Sequence, residues 1–331
     1  MIRIIPVLFA IALISSCTTD FDLEAEWRSI PVVYGFFSIQ DTAHYLRLER
    51  AFLEPGGNAT EIAQISDSIY YDDVLVQVEK VETGEVFTLE EVDGAQEGYP
   101  KEDGAFATDA HILYKLPASV AGFEPGDEMR LLIDRGDNLP IVTAETRMAG
   151  IVDSIRTTPS INIAKWLYTQ NMRFGWSTDT ENKIFDLRVV VKYREFLPDS
   201  QEPEFKELEW VIDDAIINDD DDDQIFYEVS GLSFYNYLGQ NIPEIDGVVR
   251  FLDVMDMYVT GAGRELFEFR RVAQANSGIT SAQSIPVYTN LSEGRGVFTS
   301  RYQMYRPNIR VVNEARDSLI NGIYTKHLNF R

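Results

Sequence analysis

Five consecutive aspartates, Asp219–Asp223, stand in the run "NDDDDDQ" and form the densest set of metal-capable side chains in the sequence. Carboxylate oxygens are hard ligands of the kind Ca²⁺ gathers, about six to eight at a time. A helix–loop–helix calcium site spaces its acids at alternate positions around a glycine turn, which this run lacks. Consecutive side chains also diverge, so a solvated acidic loop is the simpler expectation. Any cation held there is expected to bind weakly, through Asp219, Asp221 and Asp223. The three histidines, His44, His111 and His327, stand singly with no partner at metal-ligand spacing. No serine lies in a nucleophile elbow or beside a lysine at catalytic spacing. With 54 acidic residues, chance carboxylate pairs are certain, and a hydrolytic pair is defined by its separation across a cleft. The motifs point to a non-enzymatic protein without a cofactor.

Aromatic chemistry is the remaining candidate. "KWLYTQNMRFGW" gathers Trp166, Tyr168, Phe174 and Trp176 in a short stretch. Such rings serve three purposes: packing a core, meeting a partner protein, or stacking on sugar. All three readings stay open at this level, and the four residues are candidate ligand or partner contacts.

The single cysteine has a more specific setting. Residues 1–16, "MIRIIPVLFAIALISS", carry one cation, an apolar stretch from Ile4 to Ile14 and a small pair before Cys17. That is the layout of a secretory signal, and the apolar stretch falls short of the roughly 20 residues that span a bilayer. Ile14-Ser15-Ser16-Cys17 resembles a bacterial lipobox, which implies acylation of the Cys17 sulfur and a lipid-anchored mature chain. Stable anchoring takes more than one acyl chain. With no second thiol there is no disulfide, so stability must come from packed cores.

Formal net charge is −25, and removal of Arg3 with the signal makes it −26. That excludes the basic face a nucleic-acid binder needs. Hydrophobic residues at 45% and aromatics at 12% belong to a folded protein.

The elements that must position these residues are mostly strands. Residues 17–29 read as a polar tether. From 30 to 150, short alternating runs such as "HYLRLERAF" and "VLVQVEKV" are broken by turns, including a hairpin through Thr83-Gly84. They predict an all-β sandwich. From 151 to 331 the chain reads as a second β-rich domain with a few helices. "IFDLRVVVKYREF", "EFKELEWVIDDAII" and "DGVVRFLDVMDMYV" are its long strands. "GRELFEFRRVAQANSG" and "NEARDSLING" are its helices, the latter with Asn313 as N-cap and Gly322 as terminator.

The Ser16-Cys17 start, "FEPGDEMRLLID" with "TAETRM" (residues 123–134 and 143–148), and "VYTNLSEGRGVFTSR" (residues 287–301) together resemble a family of Bacteroidota outer-membrane lipoproteins of unknown function. The last segment departs from the family pattern at Thr289 and Leu291. The resemblance implies that the N-terminal sandwich is immunoglobulin-like and that the protein is lipid-anchored at the outer membrane. It further implies a binding or assembly accessory, with a TonB-dependent β-barrel receptor as partner. A surface glycan-binding lipoprotein is the alternative. Gly294 and Gly296 are expected to serve a tight bend or a close backbone approach and not a phosphate loop.

Overall fold

The structure is a computed structural model that describes residues 28–53, 65–101, 104, 111–136, 138–276 and 287–331. The signal segment, Cys17 and nearly all of the tether lie outside the described residues. The protein is mainly β. Strands β1 (Arg28–Phe37), β2 (Ala43–Leu53), β3 (Leu75–Lys80), β4 (Glu85–Thr88), β5 (Glu90–Asp93), β6 (Ile112–Pro117), β7 (Glu128–Asp134) and β8 (Val142–Arg147) build the first half. They pair in the orders β1-β2-β6-β5 and β4-β3-β7-β8. Lettered A to G along the chain, with β4 as C′, these are the ABED and GFCC′ sheets of an immunoglobulin-like sandwich. Val33, Leu46, Leu48 and Leu116 of one sheet meet Val76, Val78, Leu131 and Ile133 of the other, all buried. The period of two read from "VLVQVEKV" is the cause: Val76 and Val78 point inward while Gln77 and Glu79 do not.

The second half comprises β9 (Val152–Thr157), β10 (Pro159–Ser160), β11 (Ile163–Ala164), β12 (Asn171–Thr178), β13 (Ile184–Phe196), β14 (Glu204–Ile217) and β15 (Gln224–Ser230). These are followed by helix α1 (Gly231–Asn241), strand β16 (Val249–Ala262), helix α2 (Arg264–Asn276), strand β17 (Arg295–Val311) and helix α3 (Asn313–Asn321). The three long strands and the last two helices follow the sequence expectation, while α1, in "GLSFYNYLGQN", was not expected. Asn313 is the first residue of α3 and Val312 occupies the cap position, without a side-chain cap bond. Among the described residues no helix is long and apolar enough to cross a membrane.

The halves share a sheet. Its order is β14-β13-β16-β17-β1-β2-β6-β5, so it runs from the second half into the sandwich without a break. Strand β17 spans roughly 55 Å at the usual rise. Its first six residues pair in parallel with Val32–Phe37 of β1. Arg301 to Ile309 pair antiparallel with β16, and its last two residues pair with β11. Residues 295–300 thus belong physically to the sandwich, although they lie far beyond Gly150 in sequence.

Two glycines make the junction. A Cβ on Gly296 would stand 1.9 Å from the Val33 carbonyl oxygen, and one on Gly294 2.4 Å from that of Pro31, both residues having positive φ. Asn290 fastens the approach by donating to the Glu145 and Phe298 carbonyls and accepting from the Phe298 N–H. At the far end, buried Arg250 donates to Glu195 at 2.7 Å and to the Leu328 and Pro243 carbonyls, which ties the C-terminal residues onto β16.

Gly296→Ala is expected to lower stability by at least about 3 kcal/mol, because strain and a backbone collision coincide. Gly98→Ala separates the two effects: its φ is +91° but nothing lies within 4 Å of the added atom. It is expected to cost about 1 kcal/mol, and denaturant unfolding of both variants measures the difference.

His44 provides a second test. It is buried at 2% exposure, stacked on Phe37 with ring centroids 4.7 Å apart. Its Nδ1 has no hydrogen-bond partner. Burial pushes its pKa down to about 4 from 6.5. The unfolded chain therefore binds the extra proton first. Stability is expected to fall as pH drops from 6.5 towards 4, by up to about 3 kcal/mol from this residue. Subtracting the pH profile of His44→Phe should isolate that slope.

Candidate functional site

Three of the four aromatics singled out in sequence are interior. β12 turns Met172, Phe174 and Trp176 to one side, and that side faces the second core. Trp166 is 1% exposed, and Phe174 and Trp176 are wholly buried. Trp166 lies 5.1 Å from Phe234 and 5.5 Å from Phe174, while Trp176 lies 5.4 Å from Phe185. A contact role for these three is corrected: they are core, because β12 turns their side against the inner face of the spanning sheet, where Phe234 of α1 also packs. Tyr168 alone of the four reaches solvent.

The aspartate run forms the connection between β14 and β15. Asn218 organises it by accepting from the Asp222 N–H at 2.9 Å and donating to the Asp222 carbonyl at 3.0 Å. Asp221 has φ +58° and pairs with Lys183. Among the described residues no group of three or more His, Cys, Asp or Glu side chains is placed to hold a metal ion. Asp219, Asp221 and Asp223 are not gathered into such a group, since a turn fans successive side chains apart. His111 bonds the Tyr99 carbonyl, and His327 is exposed in the C-terminal turn.

The feature that the sequence reading missed is the outer face of the spanning sheet. On β13 the inward residues are Leu187, Val189 and Val191, which leaves Arg188, Val190 and Lys192 outward. Register places Glu209 and Glu207 of β14 opposite Val190 and Lys192. On the other side, Tyr258 of β16 stands opposite Arg188 and opposite Tyr305 of β17. The two tyrosines stack at 4.8 Å. A cavity of about 370 Å³ lies here, bordered by Arg188, Val190, Glu207, Glu209, Tyr258 and Gln303. A second, of about 350 Å³, shares Arg188 and Gln303 with it and runs under α2, against Phe36, Leu266 and Phe269. The two form one groove. Helix α2 crosses the sheet beside it, with Phe269 edge-on to Tyr34 and Arg270 bonded to the Asp214 carbonyl.

The groove's charges are mostly paired. Arg188 donates twice to Asp186, at 2.5 and 2.9 Å, and once to Glu209 at 3.1 Å. Lys192 lies 2.7 Å from Asp256, whose side chain is 1% exposed. Asp256 also accepts from the Tyr305 hydroxyl at 2.9 Å and from the Asn308 N–H at 3.0 Å. Burial opposes its ionisation, but Lys192 and these donors outweigh it and hold its pKa below the ordinary carboxylate value. The sequence signal for this face was present: a strand alternating Arg-Val-Lys against Val-Val-Tyr, beside one whose outward residues are Glu207 and Glu209. Such a pattern predicts a polar face but not the groove, which needs α2.

No protein-family model matches the chain, and no curated protein matches it. Two solved structures show distant similarity. The chicken CNTN1 FN1–FN3 domains share 11% identity over 71% of this chain and 59% of theirs, with a TM-score of 0.17. Trypsin-activated alpha-2-macroglobulin from Escherichia coli shares 9% over 71% of this chain and 14% of its own, with a TM-score of 0.18. The chain thus spans less than two thirds of either. Strand order, and not these likenesses, makes the first half immunoglobulin-like.

Asp256→Asn is expected to lower stability by about 2 kcal/mol near neutral pH, since two charge-assisted bonds weaken while half-exposed Lys192 regains water. A carboxylate held low stabilises above its unfolded pKa and loses that contribution as pH falls through its folded value. The gap between wild type and variant should therefore close below about pH 4, as measured by urea unfolding across pH.

Proposed function

We propose that the protein is a non-enzymatic binding or assembly module, held at the outer membrane by lipid on Cys17. In this reading it docks on a β-barrel receptor of the TonB-dependent kind through the outer face of its spanning sheet. One observation carries the reading: four long strands leave a broad face uncovered, and that face is furnished like an interface. It presents half-exposed tyrosines and arginine, residue types enriched where proteins meet, set among interlocked ion pairs. Nearby Phe205, at 77% exposure, is a large apolar side chain left in water on the same side of β14 as Glu207 and Glu209. The negative chain charge favours partners whose contact surface is neutral or basic.

A surface glycan-binding role is the second reading. The Tyr258 ring beside Arg188, Glu209 and Gln303 favours it, because an aromatic wall with planar polar groups suits a sugar ring.

Purification of the tagged chain from its native membrane in mild detergent, with mass spectrometry of the retained proteins, tests both. One dominant β-barrel protein, recovered near stoichiometrically and lost with Tyr305→Ala, is the expected result. Recovery of the chain alone, with polysaccharide-array binding that Tyr305→Ala abolishes, would transfer the assignment to glycans. Failure of both sinks the two readings together. In the same preparations Cys17→Ser should leave the lipid-anchored fraction.

A further inference from the structure

The end of the groove beneath α2 differs in chemistry from the open end. Phe36, Ala262, Leu266 and Phe269 give it an apolar side, Thr260 and Gln303 stand among its polar lining, and it is the more enclosed of the two cavities. Three guanidinium groups border it. Arg188 is neutralised by Asp186 and Glu209, and Arg270 by Asp214. Arg301, exposed on β17 opposite Ala262, makes no hydrogen bond or ion pair through its side chain among the described residues. Its field reaches Asp41, but the two form no ion pair.

We propose that this enclosed pocket binds a small organic anion, a single carboxylate carried on a compact apolar body, with Arg301 as its counter-ion. The inference goes beyond the docking reading and does not depend on which macromolecule, if any, covers the open face. Each part of the ligand's chemistry answers a feature of the pocket. A planar guanidinium with a free fork matches a carboxylate bidentately. Phe36, Leu266 and Phe269 favour a ligand with an apolar body. Size follows from the volume of about 350 Å³, at the small end of ligand pockets. Single charge follows from the pairing: Arg188 and Arg270 are each matched by an aspartate of the same lining, so Arg301 is the one cation among the described residues left to meet an anion there.

The test uses the full chain in lipid nanodiscs and three probes of one shape: 3-phenylpropionate, 3-phenylpropan-1-ol and 3-phenylpropylamine. Titration by saturation-transfer NMR is expected to show the acid binding about tenfold more tightly than the alcohol, with the amine weakest. Arg301→Gln should erase the preference for the acid while leaving alcohol binding and the unfolding midpoint unchanged, because the residue is exposed. Phe269→Ala should weaken acid and alcohol alike. Equal binding of acid and alcohol by the native chain, tighter binding of the amine, absence of binding by all three, or a preference that survives Arg301→Gln would each overturn the assignment. Co-purification of a membrane partner by Arg301→Gln, measured alongside, separates a failed pocket from a failed docking face.

Discussion

Everything else in this fold depends on the parallel pairing of the first described strand with the last. Without β17, strand β1 would be an open edge of the sandwich, with unpaired N–H and C=O groups along Val32–Phe37. Strand β16 would be an open edge of the second half over Met255–Ala262. A single strand closes both edges, which removes two sites where another chain could add. The cost is geometric. Parallel strands of this kind must approach closely just where β17 enters, and only glycine at 294 and 296 permits it. The segment "NLSEGRGVF" is therefore a structural device. Its Asn290 satisfies the carbonyls and the N–H that the tight entry would otherwise leave unpaired.

That closure sets the order in which the molecule can form. Val32 meets Arg295 across more than three quarters of the chain, so the contact is non-local in the extreme and brings a large loop-closure cost. The sandwich can collapse on its own buried valines and leucines, but its β1 edge stays open until the C-terminal strand arrives. The second half has the corresponding problem at its own end. There Arg250 and Glu195 form a buried pair that would be expensive if left incomplete, and the carbonyl of Leu328, near the end of the chain, completes it together with that of Pro243. The first and last described segments thus act as fasteners as well as contributing Val33, Phe37, Phe298, Leu328 and Phe330 to the cores.

How much of this was legible follows from periodicity. A period of two is a local property, so "VLVQVEKV", "IFDLRVVVKYREF" and "EFKELEWVIDDAII" disclose their strands, and charge alternation discloses which face is wet. The same rule undid the aromatic candidates. Phe174 and Trp176 are two residues apart and so share a face, but nothing local says whether that face meets solvent or a second sheet. Trp166 is hidden by α1, whose Gly231 start and Tyr-rich body carry too weak a helical pattern to be read. Sheet order is less local still. No feature of β1 names β17 as its neighbour, and only the glycines at 294 and 296 hint that a backbone passes close by. The groove was illegible for the same reason, because it arises where α2 crosses strands drawn from positions as distant as Phe36 and Gln303.

The distribution of charge, and not its sum, decides what the outer face presents at contact. A chain of net charge −25 repels anionic partners at long range, and beyond a Debye length of about 8 Å in physiological salt that field is screened. Within that distance local pairing decides. On the open end of the groove Arg188 and Lys192 are shared among Glu207, Glu209 and Asp256 and offset most of their charge, so a partner meets paired groups and tyrosine edges in place of a bare acidic field. Under α2 the pairing stops one cation short. A half-apolar pocket bordered by an unmatched guanidinium favours an anion at contact even though the protein as a whole is acidic. The two ends of one groove can therefore select by different rules, breadth and shape at one and a single ion pair at the other.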